Sequence, residues 1–98
     1  MDDAWGGDVE RSYEMKAGTL ADGLAVPVVG TNAFNVARRF VDSTCQVSEG
    51  LISLAVLRCL ELEKMIIEGG GVVGLAAILP GGPLFRAFSG KRVVIPLW

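Results

Sequence analysis

MIIEGGGVVGLAAIL, residues 65–79, is the stretch whose reading decides the fold of this chain. It opens with an apolar run fit for a buried strand, passes through a carboxylate and three glycines, and continues as a helix with an apolar face. A strand that turns through glycines into a helix N-terminus is where α/β proteins place ligand chemistry. The pattern predicts a strand over 65–67, a glycine turn after Glu68 and a helix over 71–79. Pro80-Gly81-Gly82-Pro83 then stops that helix.

Upstream, Ser48 is a good N-cap for a long helix over 49–64. Ile52, Ala55, Val56, Cys59 and Leu60 recur along it at the helical period and mark its buried stripe. A shorter helix is expected over 33–40, capped by Thr31 or Asn32, with Phe34, Ala37 and Val41 on one face. Residues 44–47 and 91–95 read as two further short strands. Residues 1–18 are polar and weakly patterned, an arm with one helical turn around 9–16. Helices alternating with short apolar strands indicate an α/β architecture, a partial three-layer parallel sheet with helices on both faces. Such strands are normally covered on both faces and paired on both edges, which three strands alone do not achieve.

The composition agrees. The 98 residues allow one domain, yet 51% are hydrophobic and only 20% charged, a balance typical of the interior of a larger protein. A net charge of −2 gives no electrostatic basis for binding nucleic acid or an anionic membrane. No apolar run reaches the roughly 20 residues of a membrane span. With no histidine, Ser-His-Asp and Cys-His catalysis are excluded, and the commonest transition-metal ligand is missing. No metal ligands are assigned. Cys45 and Cys59 follow no metal spacing and read as reduced core thiols in a cytoplasmic protein.

Residues 69–74, GGGVVG, satisfy the G-x-G-x-x-G dinucleotide fingerprint literally. The fingerprint fails on chemistry. No Asp or Glu follows Glu68, so the ribose-binding acid expected about 20 residues later is absent. Glu68 itself would oppose a pyrophosphate at the helix end.

Five blocks carry a different resemblance: TLADGLAV (19–26), VGTNAFNVARRFVD (29–42), QVSEGLISLA (46–55), MIIEGGGVVGLAAIL (65–79) and GKRVV (90–94). In this order and spacing they resemble the C-terminal part of the catalytic domain of threonine/serine ammonia-lyases and serine racemase. Those are pyridoxal-phosphate enzymes of fold type II. The resemblance implies a fragment of such a domain, with 1–18 an arm, 19–95 part of the catalytic domain and 96–98 a cut tail. It implies an amino-acid substrate, elimination of water and ammonia to give a 2-oxo acid, and a homo-oligomer for the full-length protein. A serine racemase-like fragment, or a non-enzymatic isoform that associates with a full-length subunit, is the alternative.

The resemblance also marks what is missing. The family's Schiff-base lysine lies in an S-x-K-x-R-G-A-type motif, whereas Lys16, Lys64 and Lys91 stand in no such context. A glycine-rich phosphate loop and an S-G-G-N-like turn after the last strand are likewise not found. No catalytic residue is therefore assigned. The fragment is expected to be inactive alone and to bind pyridoxal phosphate weakly at best, because the anchoring lysine is also the family's proton acceptor.

By the same resemblance Glu68, Gly69, Gly70 and Gly71 flank the cofactor, and Asp22 and Gly23 line the substrate side. Each has a plainer reading. Glu68 follows an apolar strand, so burial is expected, but it also suits a helix N-terminus as a simple charge. Asp22-Gly23 is a common turn dipeptide. The three glycines equally let a helix pack closely on its neighbours. Arg38 and Arg39 read as a solvated helix face or an interdomain contact rather than a phosphate grip.

Overall fold

The computed structural model describes residues 18–98. The arm expected over 1–18, with its helical turn at 9–16, lies outside the described residues apart from Gly18. Three α-helices organise the rest: α1, Thr31–Phe40; α2, Glu49–Arg58; and α3, Val73–Ile78. Short tight turns join them. Asp22–Leu24 and Gly69–Val72 are 3-10 turns, and Cys59–Glu63 is a π turn that prolongs α2.

The start of α2 follows from its sequence. Ser48 is extended and its hydroxyl accepts the N–H of Leu51 at 3.3 Å, satisfying one of the orphan donors of the first turn. Ile52, Ala55 and Cys59 are buried as their spacing predicts, while Leu60 is exposed. The π turn accounts for the difference. It holds more residues per turn than an α-helix, so the stripe rotates away from the core after Cys59. Lys64 then ends the helix in the left-handed conformation (φ 58°), and the N–H of Met65 returns to the carbonyl of Cys59 at 3.1 Å.

α3 begins later than its sequence predicts. The glycine run forms a 3-10 turn, with Gly71 N–H donating to the Glu68 carbonyl at 3.0 Å, before true α-helix starts at Val73. The stop after α3 is as expected: Gly81 has φ +88°, and Gly82 N–H closes on the Leu79 carbonyl at 2.7 Å. The core lies between α2, α3 and the glycine turn. Ile52, Ala55, Cys59, Val72, Ala76 and Leu79 form it, with Val47, Leu51 and Ile67 packed around it. In α1 the cap is Gly30 rather than Thr31 or Asn32, and Phe34 is buried while Val41 is exposed.

The parallel sheet expected from the sequence is not formed among the described residues. Residues 44–47, 65–67 and 91–95 belong to no strand ladder, and Val28 holds an isolated bridge position. A strand exists through its neighbours, and these segments do not pair with one another. Their side chains nonetheless alternate like those of strands. Ile67 packs on the core while Ile66 is 93% exposed, and Ile95 lies against Gly74 while Val94 is 90% exposed.

Candidate functional site

Two segments distant in sequence meet at the glycine corner, and the absence of side chains there permits it. A Cβ on Gly69 would collide with the carbonyl of Leu20, and one on Gly71 would collide with the carbonyl of Trp98. Between them, a Cβ on Gly70 would touch Leu24 Cγ at 3.4 Å. The corner is thus wedged between the 20–24 segment and the chain's last residues. For Gly69 and Gly71 this is the packing role named above. A phosphate brought to these faces would meet carbonyl oxygens instead of N–H donors, which adds a steric and electrostatic objection to the dinucleotide fingerprint.

Glu68 stands at the edge of this contact. Its backbone is extended (φ −66°, ψ 160°) and its side chain makes no capping hydrogen bond to the turn that follows. The carboxylate faces the Asp22–Leu24 turn instead. A Cβ built on Gly23 would lie 3.6 Å from Oε1 and 3.7 Å from Oε2 of Glu68. The structure therefore brings together the two groups that the sequence singled out separately, Asp22-Gly23 and Glu68-Gly69-Gly70-Gly71. One expectation is corrected: Glu68 is exposed, not buried, because the equally exposed Asp22–Leu24 turn covers it on one side only.

The Asp22–Leu24 turn is internally bonded. Gly23 N–H donates to Asp22 Oδ1 at 2.9 Å, Leu24 N–H to the Ala21 carbonyl at 2.9 Å, and Ala25 N–H to the Asp22 carbonyl at 3.0 Å. Its approach is held by a residue that sequence reasoning passed over. Glu49, the first residue of α2, accepts the Thr19 hydroxyl on Oε1 and the Leu20 N–H on Oε2, the latter at 2.9 Å. Ala21 N–H in turn donates to Thr19 Oγ1 at 3.1 Å. The Thr19 hydroxyl bond, helped by the Leu20 N–H, holds the Glu49 carboxyl below the usual carboxylate range. Its signal was in plain view, since Thr19 and Glu49 lie in two of the five blocks, but an acid after an N-cap reads first as a dipole partner.

Outside the corner the remaining candidates separate. Arg38 lies over the Phe34 ring at 5.3 Å from its centroid, a cation–π contact within α1 between an exposed guanidinium and a buried ring. Cys59 is buried as expected, but Cys45 is exposed and is not core filler. No three His, Cys, Asp or Glu side chains converge among the described residues. Nor is any helix among them long and apolar enough to cross a membrane.

Comparison with known proteins gives this corner a context. The L-threonine ammonia-lyase of Geobacter sulfurreducens is 48% identical over 77 residues, covering 79% of this chain and 19% of that enzyme. Over that stretch the chain is similar to the threonine ammonia-lyases. The L-threonine ammonia-lyase of Thermotoga maritima is 44% identical over 61 residues, 62% of this chain and 15% of its own. In Escherichia coli K12 the L-threonine dehydratase catabolic TdcB is 36% identical over 72 residues, 74% of this chain and 22% of that protein. A crystal structure of the T.th. threonine deaminase superposes with a TM-score of 0.70 at 27% identity, covering 79% of this chain and 28% of that one. No protein-family model matches the chain. The chain spans about a fifth of the length of the curated ammonia-lyases it matches.

Proposed function

We propose that this chain supplies one wall of the catalytic site of a pyridoxal-phosphate-dependent L-threonine/L-serine ammonia-lyase, which eliminates water and ammonia to give a 2-oxo acid. The observation that carries the reading is the meeting of the Gly23 backbone with the Glu68 carboxylate across the glycine corner. In this reading the Asp22–Leu24 turn borders the amino-acid substrate and Glu68 faces the cofactor side. Ile66 and Val94, solvated on the outer side of two strand-patterned segments, mark where further strands and helices of a fold type II α/β sheet would lie. The relatives' names carry elimination, which we take over racemisation. A cytoplasmic homo-oligomer acting on free amino acids completes the proposal.

The residues present do not by themselves fit pyridoxal phosphate. Its aldehyde requires a lysine and its phosphate a set of N–H donors. Lys64 Nζ donates to the Glu61 carbonyl at 2.6 Å, at the end of the π turn. Lys91 stands in no Schiff-base motif, and the faces of Gly69 and Gly71 are closed by carbonyl groups. No chemical step is therefore assigned to the cofactor on this chain. Its own residues contribute shape and charge: an internally hydrogen-bonded turn, a carboxylate beside it, and a glycine corner against which the turn packs.

A chimera tests the reading. Residues 19–95 replace the matching segment of the Geobacter ammonia-lyase, and 2-oxobutanoate formation from L-threonine is measured. An active chimera is expected; a folded, cofactor-loaded but inactive one would overturn the proposal. The isolated chain, supplied with cofactor, is expected to form no 2-oxo acid from threonine or serine.

A further inference from the structure

The Asp22–Leu24 turn carries its own hydrogen bonds, so what fixes its place is whatever holds the residues leading into it. Those residues are pinned from two sides. Leu20 gives its N–H to Glu49 at 2.9 Å, and its carbonyl rests on the bare face of Gly69. Thr19 gives its hydroxyl to the other oxygen of the same carboxylate and receives the N–H of Ala21 at 3.1 Å. One carboxylate thus organises three consecutive residues, 29 and 30 positions away in sequence for its two direct partners.

We propose that Glu49 is a positioning residue, a latch that ties α2 to the Asp22–Leu24 turn and so sets the turn beside Glu68. The base of the latch is firm. Glu49 opens a helix whose first turn is capped by Ser48 and whose next turn buries Ile52 and Ala55 in the core. The carboxylate is required chemically, because both partners are donors and only an ionised acid presents two acceptor oxygens. A glutamine at this position keeps one acceptor oxygen for the Leu20 N–H and turns its NH2 to the Thr19 hydroxyl, which must then accept instead of donate, so two charge-assisted bonds become weaker neutral ones. Glu49 is fully solvated, so its effect falls on the placement of the turn more than on global stability. The functional meaning of the latch rests on the substrate-side reading of that turn; the mechanical meaning stands without it.

Amide hydrogen exchange and chemical shifts of the 98-residue chain provide the test, read residue by residue for Glu49→Gln, Thr19→Val, Thr19→Ser and Ser48→Ala. Glu49→Gln is expected to speed exchange at Leu20 about tenfold or more and to move the Gly23 amide resonance, with Ile52 and Ala55 unchanged. Thr19→Val is expected to loosen Ala21 in the same way, and Thr19→Ser, which keeps the hydroxyl, to restore it. Ser48→Ala is the structural control, raising exchange at Leu51 and leaving Leu20 alone. Unchanged Leu20 and Gly23 in Glu49→Gln, or a uniform rise matching that of Ser48→Ala, would overturn the latch. If Glu49→Gln does not fold, acid titration of the native chain decides. The Leu20 amide shift must follow the Glu49 carboxyl carbon with one midpoint, and an independent midpoint would overturn the proposal. An inactive chimera whose Leu20 remains protected would remove the lyase reading and leave the latch standing.

Discussion

The Glu49 carboxylate accepts the Leu20 N–H at 2.9 Å, joining the first residue of α2 to the segment that covers the glycine corner. That bond and its companion from Thr19 weaken when the carboxylate is protonated, and this fixes the sign of a pH effect. The folded-state pKa of Glu49 is lowered, first by the Thr19 hydroxyl and then by the Leu20 N–H. Its contribution to stability is therefore fully present above the unfolded-state value and fades as pH falls through the depressed folded value. Urea unfolding at neutral and acid pH is expected to show this loss, and Glu49→Gln to remove that part of it. An identical pH dependence in the two proteins would contradict the assignment.

The glycine corner gives a paired prediction. Gly69→Ala places a methyl group against the Leu20 carbonyl, and backbone on both sides leaves little room to yield. A loss of about 1–3 kcal/mol is expected, the usual range for forced overpacking. Gly50 lies inside α2, and a Cβ there meets nothing within 4 Å. Gly50→Ala is expected to gain about 0.5–1 kcal/mol through helix propensity. Equal effects of the two substitutions in urea titrations would mean that the corner is not tightly packed.

Two isoleucines separate core from uncovered face. Ile52, 3% exposed, sits between α2 and α3, and Ile52→Ala is expected to cost about 2–5 kcal/mol. Ile66, 93% exposed, has the same side chain and no such packing, so Ile66→Ala is expected to stay within about 0.5 kcal/mol. In the chimera, where further strands and helices are expected to cover that face, the same Ile66→Ala change should become costly. Thermal melts of the chain, the chimera and their three variants measure both halves of this statement.

Lys64 holds a left-handed backbone at the end of the π turn, a conformation that costs a side-chain-bearing residue about 1–2 kcal/mol. Its ammonium donates to the Glu61 carbonyl at 2.6 Å and offsets part of that strain. Lys64→Gly is expected to raise stability by a fraction of a kcal/mol to about 1 kcal/mol, as at other helix C-termini. Destabilisation would show that the lysine bond outweighs the strain.

Much of this was legible in the residues, and the failures share a cause. Ser48, Ile52, Ala55 and Cys59 announced α2 because cap chemistry and the helical period are local signals. The Pro80–Pro83 stop was local too. The strands over 44–47, 65–67 and 91–95 were read from apolar, β-branched composition, but a ladder depends on partners, and these segments do not pair with one another. Glu68 was expected to be buried because three apolar residues precede it; burial depends on what covers a group, and only the exposed Asp22–Leu24 turn lies over it. Glu49 escaped notice because its partners, Thr19 and Leu20, lie about thirty residues away. The five blocks led to the threonine ammonia-lyase family, since their order survives even where the sheet around them does not.

The central claim is that the corner formed by Gly23 and Glu68 is one wall of an ammonia-lyase site. Glu68→Gln in the chimera tests it most directly, because the change keeps size and fold and removes only the charge. 2-Oxobutanoate formation from L-threonine should fall by about a hundredfold or more, the scale of a group that holds charge at a reacting centre, while the melting temperature stays unchanged. Full activity in the Glu68→Gln chimera would contradict the claim.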